Sequence, residues 1–180
     1  MKKIIIITLM IISAFSLKGQ RITAMDFDPT PFLGKWTATS NGITYELTMI
    51  RDTIFMNELF PDLDFALDQI NCHIIYKQGN TILRTIEPTG PRPILSGVPS
   101  DENLLEMRFD DTERKIVGYV DFKLDPANPN KASWELTKRG LYMPREGGAE
   151  DFDIPRHLTF RKSLDLDPGK PGGGTGITNP

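Results

Sequence analysis

One cysteine, Cys72, and two histidines, His73 and His157, are all the thiol and imidazole ligands in this chain of 180 residues. A lone cysteine excludes an internal disulfide, so the fold must stand on its core even in an oxidising compartment. Cys72 precedes Ile74, Ile75 and Tyr76, the setting of a buried and inert thiol rather than a reactive one. The histidines belong to no His-Glu-x-x-His or Cys-x-x-Cys pattern, which leaves a zinc site without its ligand set. A Gly-x-Ser-x-Gly nucleophile elbow is missing. No glycine loop is placed to cradle phosphate, since Gly172-Gly173-Gly174 follows no strand. Asp62, Asp64 and Asp68 lack the glycine that a calcium loop needs at its sharp turn. Glu146, Glu150, Asp151 and Asp153 read as a solvated acidic loop. No catalytic residue, metal or cofactor is expected, and an enzyme, a hydrolase included, has no motif to rest on.

A long apolar run is also missing. The most apolar stretch, Ile4 to Phe15, is about 12 residues, against the roughly 20 that a spanning helix requires. It follows Lys2 and Lys3 and precedes Ser16-Leu17-Lys18-Gly19. That is the pattern of a secretory signal peptide over residues 1–19, cleaved after Gly19. No cysteine stands at the cleavage point, so a lipoprotein anchor is not expected. The product should be a soluble periplasmic or secreted protein. Without Lys2, Lys3 and Lys18 the chain keeps 18 basic against 24 acidic side chains, a net charge of −6. That balance argues against nucleic-acid binding and against adhesion to anionic membranes.

What is present is alternation. After an irregular segment over 20–31, ending in Asp28-Pro29-Thr30-Pro31, a domain over 32–163 is expected, followed by a Gly/Pro-rich disordered tail over 164–180. Phe32 to Ala38 reads as a strand running to the Asn41-Gly42 turn, the strongest short hairpin signal. Beyond it Ile43, Tyr45, Leu47 and Met49 repeat with the period of two that marks a strand. Residues 52–71 are the least regular, with Asp64 to Asp68 read as a short helical turn and Asp62 as its cap. A second hairpin spans Cys72 to Ile86 around Gln78-Gly79-Asn80. Residues 87–101 read as a long loop.

The third hairpin is the clearest. Leu105, Met107 and Phe109 return as Ile116, Gly118, Val120, Phe122 and Leu124 on the inner face, with Val117 and Tyr119 outward. Strands at 132–137 and 157–161 follow, separated by a loop over 139–155. About eight strands at hairpin spacing imply an all-β, antiparallel sandwich or up-and-down barrel.

At Gly34-Lys35-Trp36 the chain resembles the calycin group of lipocalin-like barrels. Its layout is similar to an uncharacterised exported lipocalin-like family of Gram-negative bacteria, a domain of unknown function. The resemblance selects the closed barrel over the sandwich. It implies that Trp36 plugs one barrel end and that a basic residue of the last strand, Arg161 here rather than Arg156, packs over the indole. The Thr-Asp-Tyr motif of classical lipocalins is missing.

Inward positions are apolar throughout, so any ligand should be a small apolar molecule with a polar end. Tyr45, Leu47, Phe109, Phe122 and Trp134 are the expected cavity lining, with Trp36 and Arg161 as structural closure. The loops at 52–71, 87–101 and 139–155 are candidates to gate the open end. The leading expectation is therefore an exported carrier of an apolar ligand. The alternative is a filled barrel that acts as a structural or protein-interaction module, its protein partner unknown, with Val117 and Tyr119 as a hint of a sticky outer face.

Overall fold

Alternating apolar positions need a sheet whose one face is covered, and a sheet closed on itself meets that need. The computed structural model describes residues 21–55, 65–87, 94–138, 147–149 and 151–163, and all the regular structure among them is β. The strands are β1 (Arg21–Thr23), β2 (Gly34–Ser40), β3 (Ile43–Phe55), β4 (Phe65–Gln78), β5 (Thr81–Ile86), β6 (Leu95–Pro99), β7 (Leu104–Asp111), β8 (Ile116–Asp125), β9 (Asn128–Thr137) and β10 (His157–Lys162). Eight of them close an antiparallel barrel in the order β4-β3-β2-β10-β9-β8-β7-β6, with β6 returning to β4 through Ile70↔Gly97 and Asn71↔Ser96. Both the signal-like segment 1–19 and the tail 164–180 lie outside the described residues.

Strand β4 is the hinge of the architecture. One edge pairs with β3 along almost its whole length. The other is shared in succession by β1 at Phe65–Leu67, by β6 at Ile70 and Asn71, and by β5 from Ile74 to Gln78. β5 and β6 run in the same direction along that edge, so together they fill one strand position that is interrupted by residues 87–94.

The hairpin turns fall where the turn residues put them. Asn41 and Gly42 both have positive φ, 52° and 75°, the mirror-image turn that suits the twist of two strands. On β7 and β8 the burial alternates strictly, with Leu105, Met107, Phe109, Ile116, Val120 and Phe122 inside.

Three expectations are corrected. Phe65 to Asp68 open β4 as a strand rather than a helical turn, because Ala66 to Asp68 pair with Thr53 to Phe55 and Phe65 pairs with Arg21 of β1; Asp62 and Asp64 lie outside the described residues. The stretch read as a loop over 87–101 contains β6, whose Gly97 and Pro99 hide a strand that exists only through its pairing with β4 and β7. Within the segment read as irregular, Arg21–Thr23 add a short parallel strand to β4.

Gly97 shows why closure needs a glycine at that point. A Cβ there would lie 1.9 Å from the Glu106 carbonyl oxygen and 2.7 Å from the Met107 Cα, so β6 approaches β7 more closely than any side chain allows.

Candidate functional site

The interior comes first, because the expected ligand lining points there. Tyr45, Leu47, Phe109, Phe122 and Trp134 do converge in one core with Trp36, Phe32 and Phe160. Their rings interlock: Trp36 meets Phe122 edge-on at 5.1 Å, and Phe160 lies 5.8 Å from Phe122 and 6.0 Å from Trp134. Each of the five expected lining residues exposes at most 2% of its surface. All five are buried among other apolar side chains, an arrangement open to an eight-strand barrel whose bore its own side chains can fill. The indole N–H of Trp134 is buried there with no acceptor.

One end is closed by Trp36. The Pro29–Leu33 turn, tied by Phe32 N donating to Pro29 O and Leu33 N to Thr30 O, brings the Phe32 carbonyl to accept from Trp36 Nε1 at 2.8 Å. Gly34, with φ +108°, makes the corner into β2. The basic residue over the indole is Lys162 and not Arg161. Its Nζ stands 5.2 Å from the ring centroid and donates to Pro31 O at 2.8 Å. Lys162 is Trp36's register partner, whereas Arg161 pairs with Thr37 and is exposed. Neighbours on a strand face opposite ways, so only one of the two can reach the ring. Burial lowers the Lys162 pKa.

The opposite end carries the Asn41-Gly42, Gly79-Asn80 and 112–115 turns and the connection from β9 to β10. Of that connection, Phe152 and Asp153 lie at the end away from Trp36, against Phe109 and Tyr76, whereas Phe55 and Phe65, on either side of 56–64, stand at the Trp36 end. Phe152 stacks on Phe109 at 5.4 Å and seats where Gly118 has no Cβ, which would meet Phe152 Cζ at 2.6 Å. Ile154 beside it is buried.

Sequence reasoning missed the strongest polar cluster, which is also here. Arg84 of β5, 16% exposed, grips Asp111 at the end of β7 through Nη1 and Nη2 at 2.8 and 2.7 Å. It also donates to Asp153 at 2.7 Å and to Glu113 at 2.8 and 3.1 Å. Tyr76 donates its hydroxyl to Asp153 at 3.3 Å and meets Tyr45 edge-on at 5.1 Å. Asp111, beside it, raises the Arg84 pKa, and burial raises those of Tyr76 and Tyr45. The partners stand 27, 29 and 69 residues from Arg84 along the chain, a spacing that no motif could have announced. One guanidinium facing three carboxylates ties β5 to the end of β7 and to the β9–β10 connection.

Outside, a groove of about 480 Å³ runs over β6, β7 and β8, lined by Val98, Glu106, Arg108, Tyr119 and Asp121 among others. Val98 and Tyr119 are exposed there; Tyr119 is one of the two outward residues singled out from sequence, and Val117 is half-buried. No group of three or more metal-ligating side chains forms among the described residues. Cys72 is fully buried with its pKa raised by burial, its thiol against Met107 Sδ at 3.3 Å.

No family model, curated protein or solved structure matches this chain.

Proposed function

We propose that the protein is an exported, non-enzymatic interaction module whose barrel is filled by its own side chains and whose outer surface and rim contact another exported protein. The packed interior carries this reading. The side chains first expected to line a cavity are spent on one another, so recognition falls to surfaces outside the bore. The leader-like residues 1–19 support export.

A second reading, carriage of a small apolar ligand, draws on one observation. The Trp134 N–H is a buried donor without a partner, and a ligand's polar end would relieve a cost of about 1–3 kcal/mol. Native mass spectrometry of the mature protein from its own host, followed by organic extraction, separates the two. A clean mass with no uptake of hydrophobic fluorescent probes is the expected result. A reproducible excess mass that extracts as one apolar compound would overturn the filled-barrel reading in favour of the carrier.

A further inference from the structure

The outer wall carries its charge unevenly. Without residues 1–19 the chain stands at −6, yet the outer face of β9, β10 and β2 sets cations side by side. Lys131 pairs in register with Arg161, and Arg161 with Thr37. Lys35 lies two residues from Thr37 and so on the same face of β2. Like charges directly opposite across two strands destabilise a sheet. Lys131 has Asp125 at 3.4 Å, but among the described residues neither Arg161 nor Lys35 is paired with a carboxylate.

Beside these cations an outer pocket of about 420 Å³ opens over β2, β3 and β4. Its polar lining is Lys35 and Thr37 of β2, Glu46 and Thr48 of β3, His73 of β4, and Ser163. Ser163 prolongs β10 by donating its backbone N–H to Lys35 O at 2.8 Å. Register draws the lining together. Lys35, Thr48 and His73 are successive cross-strand partners, and such partners stand with their Cβ atoms about 5 Å apart. Arg161 opposes Thr37 at the edge of the pocket.

Donors prevail there. An ammonium group offers three N–H bonds and each of the three hydroxyls one O–H. The single carboxylate of the lining, Glu46, accepts from Lys77 Nζ with both oxygens, at 2.8 and 2.7 Å, so its charge is already answered. Glu87 meets His73 Nε2 at 3.1 Å and does not line the pocket. We infer that this pocket binds a phosphate or sulfate monoester. The oxyanion would sit on Lys35 and the hydroxyls of Thr37, Thr48 and Ser163, with Arg161 at the rim and the organic group against Ile75. A tetrahedral group sends its terminal oxygens in several directions, which suits donors that come from separate strands; a planar carboxylate meets fewer of them. The volume is that of a small-molecule site, more than a bare ion needs.

The test titrates the mature chain with phenyl phosphate, phenyl sulfate, benzoate and benzyl alcohol, read by backbone amide shifts in NMR. The better of the two esters should move the amides of Lys35, Thr37, Thr48 and Ser163 and bind about tenfold more tightly than benzoate or the alcohol. Which ester binds better tells phosphate from sulfate. Lys35→Gln, at an exposed position, should weaken that ester about tenfold, and Thr48→Val about threefold, the scales of a charge-assisted and a neutral hydrogen bond. Both variants should keep the parent's spectrum away from the pocket. Lys123→Gln, at an exposed position of β8 outside the pocket, should leave binding unchanged. Unmoved amides at the four positions, or benzoate or benzyl alcohol bound as tightly as the esters, would overturn the inference. So would equal losses in Lys35→Gln and Lys123→Gln, which would reduce the binding to general surface charge.

Discussion

Arg84 and Asp111 join two strands that share no backbone hydrogen bond. Arg84 sits on β5, Asp111 ends β7, and two bonds of 2.8 and 2.7 Å hold the planar guanidinium to the planar carboxylate. Asp111 is 1% exposed and also accepts from Arg114 N at 3.1 Å. The pair closes by side chain the part of the wall that the backbone leaves open.

Breaking it should be costly in a one-sided way. Asp111→Ala leaves a buried guanidinium short of its main partner and should lower unfolding stability by about 3 kcal/mol. Glu113→Gln, at the exposed end of the same cluster, should change it by less than about 0.5 kcal/mol. Urea midpoints of the two variants read the difference.

Acid should act through Asp68. Arg51 Nη2 donates to its Oδ2 at 2.6 Å and Thr53 Oγ1 to its Oδ1 at 2.7 Å, and those bonds lower its pKa. The folded carboxyl therefore gives up its proton more readily than the unfolded one, whose value is about 3.9. Its contribution is fully present above that value and is lost as pH falls through the folded pKa. Stability measured from pH 6 down to pH 2.5 should decline more steeply below about pH 4 in the parent than in Asp68→Asn.

At the Trp36 end the two neighbouring basic residues should behave differently. Lys162→Ala removes the cation over the ring and the bond to Pro31 O, a loss of about 1–2 kcal/mol with a shift in Trp36 fluorescence. Arg161→Ala should stay within about 0.5 kcal/mol and leave the fluorescence unchanged. Equal effects would contradict the β10 register.

Two glycines should tolerate alanine unequally. At Gly118 the clash falls on the tip of the Phe152 ring, which can swing away, so about 1–3 kcal/mol is expected, with faster proteolysis around 147–155. At Gly97 the clash is with β7 backbone. The barrel must part there, and the larger loss in thermal midpoint belongs to Gly97→Ala.

The packing of the inward rings can be tested by design. Phe122→Ala should cost about 3–5 kcal/mol and open an apolar cavity. Uptake of benzene-sized probes by this variant and not by the parent would fit a core that is closed before mutation.

Much of the fold was legible because each strand of the third hairpin has one wet face. Leu105, Met107 and Phe109 against Glu106 and Arg108 can alternate in only one way. Asn41-Gly42 was equally plain, as few residue pairs adopt two positive φ values in succession. β6 was not legible: Leu95-Ser96-Gly97-Val98-Pro99 has the composition of a loop and becomes a strand only between β4 and β7. The choice of Lys162 over Arg161 depended on register, since a slip of one residue turns every side chain of a strand to the other face.

By itself, then, the sequence determined the hairpins, the inward apolar set and the acidic balance, all of them properties of local periodicity and composition. Tertiary structure alone decided which aromatic rings meet inside the barrel, that β5 pairs with β4 while β7 pairs with β6, and that Arg84 links β5 to the end of β7. Those outcomes depend on how side-chain volumes sum across strands and on which residues meet from 27 to 69 positions away. Pattern along a chain carries neither quantity.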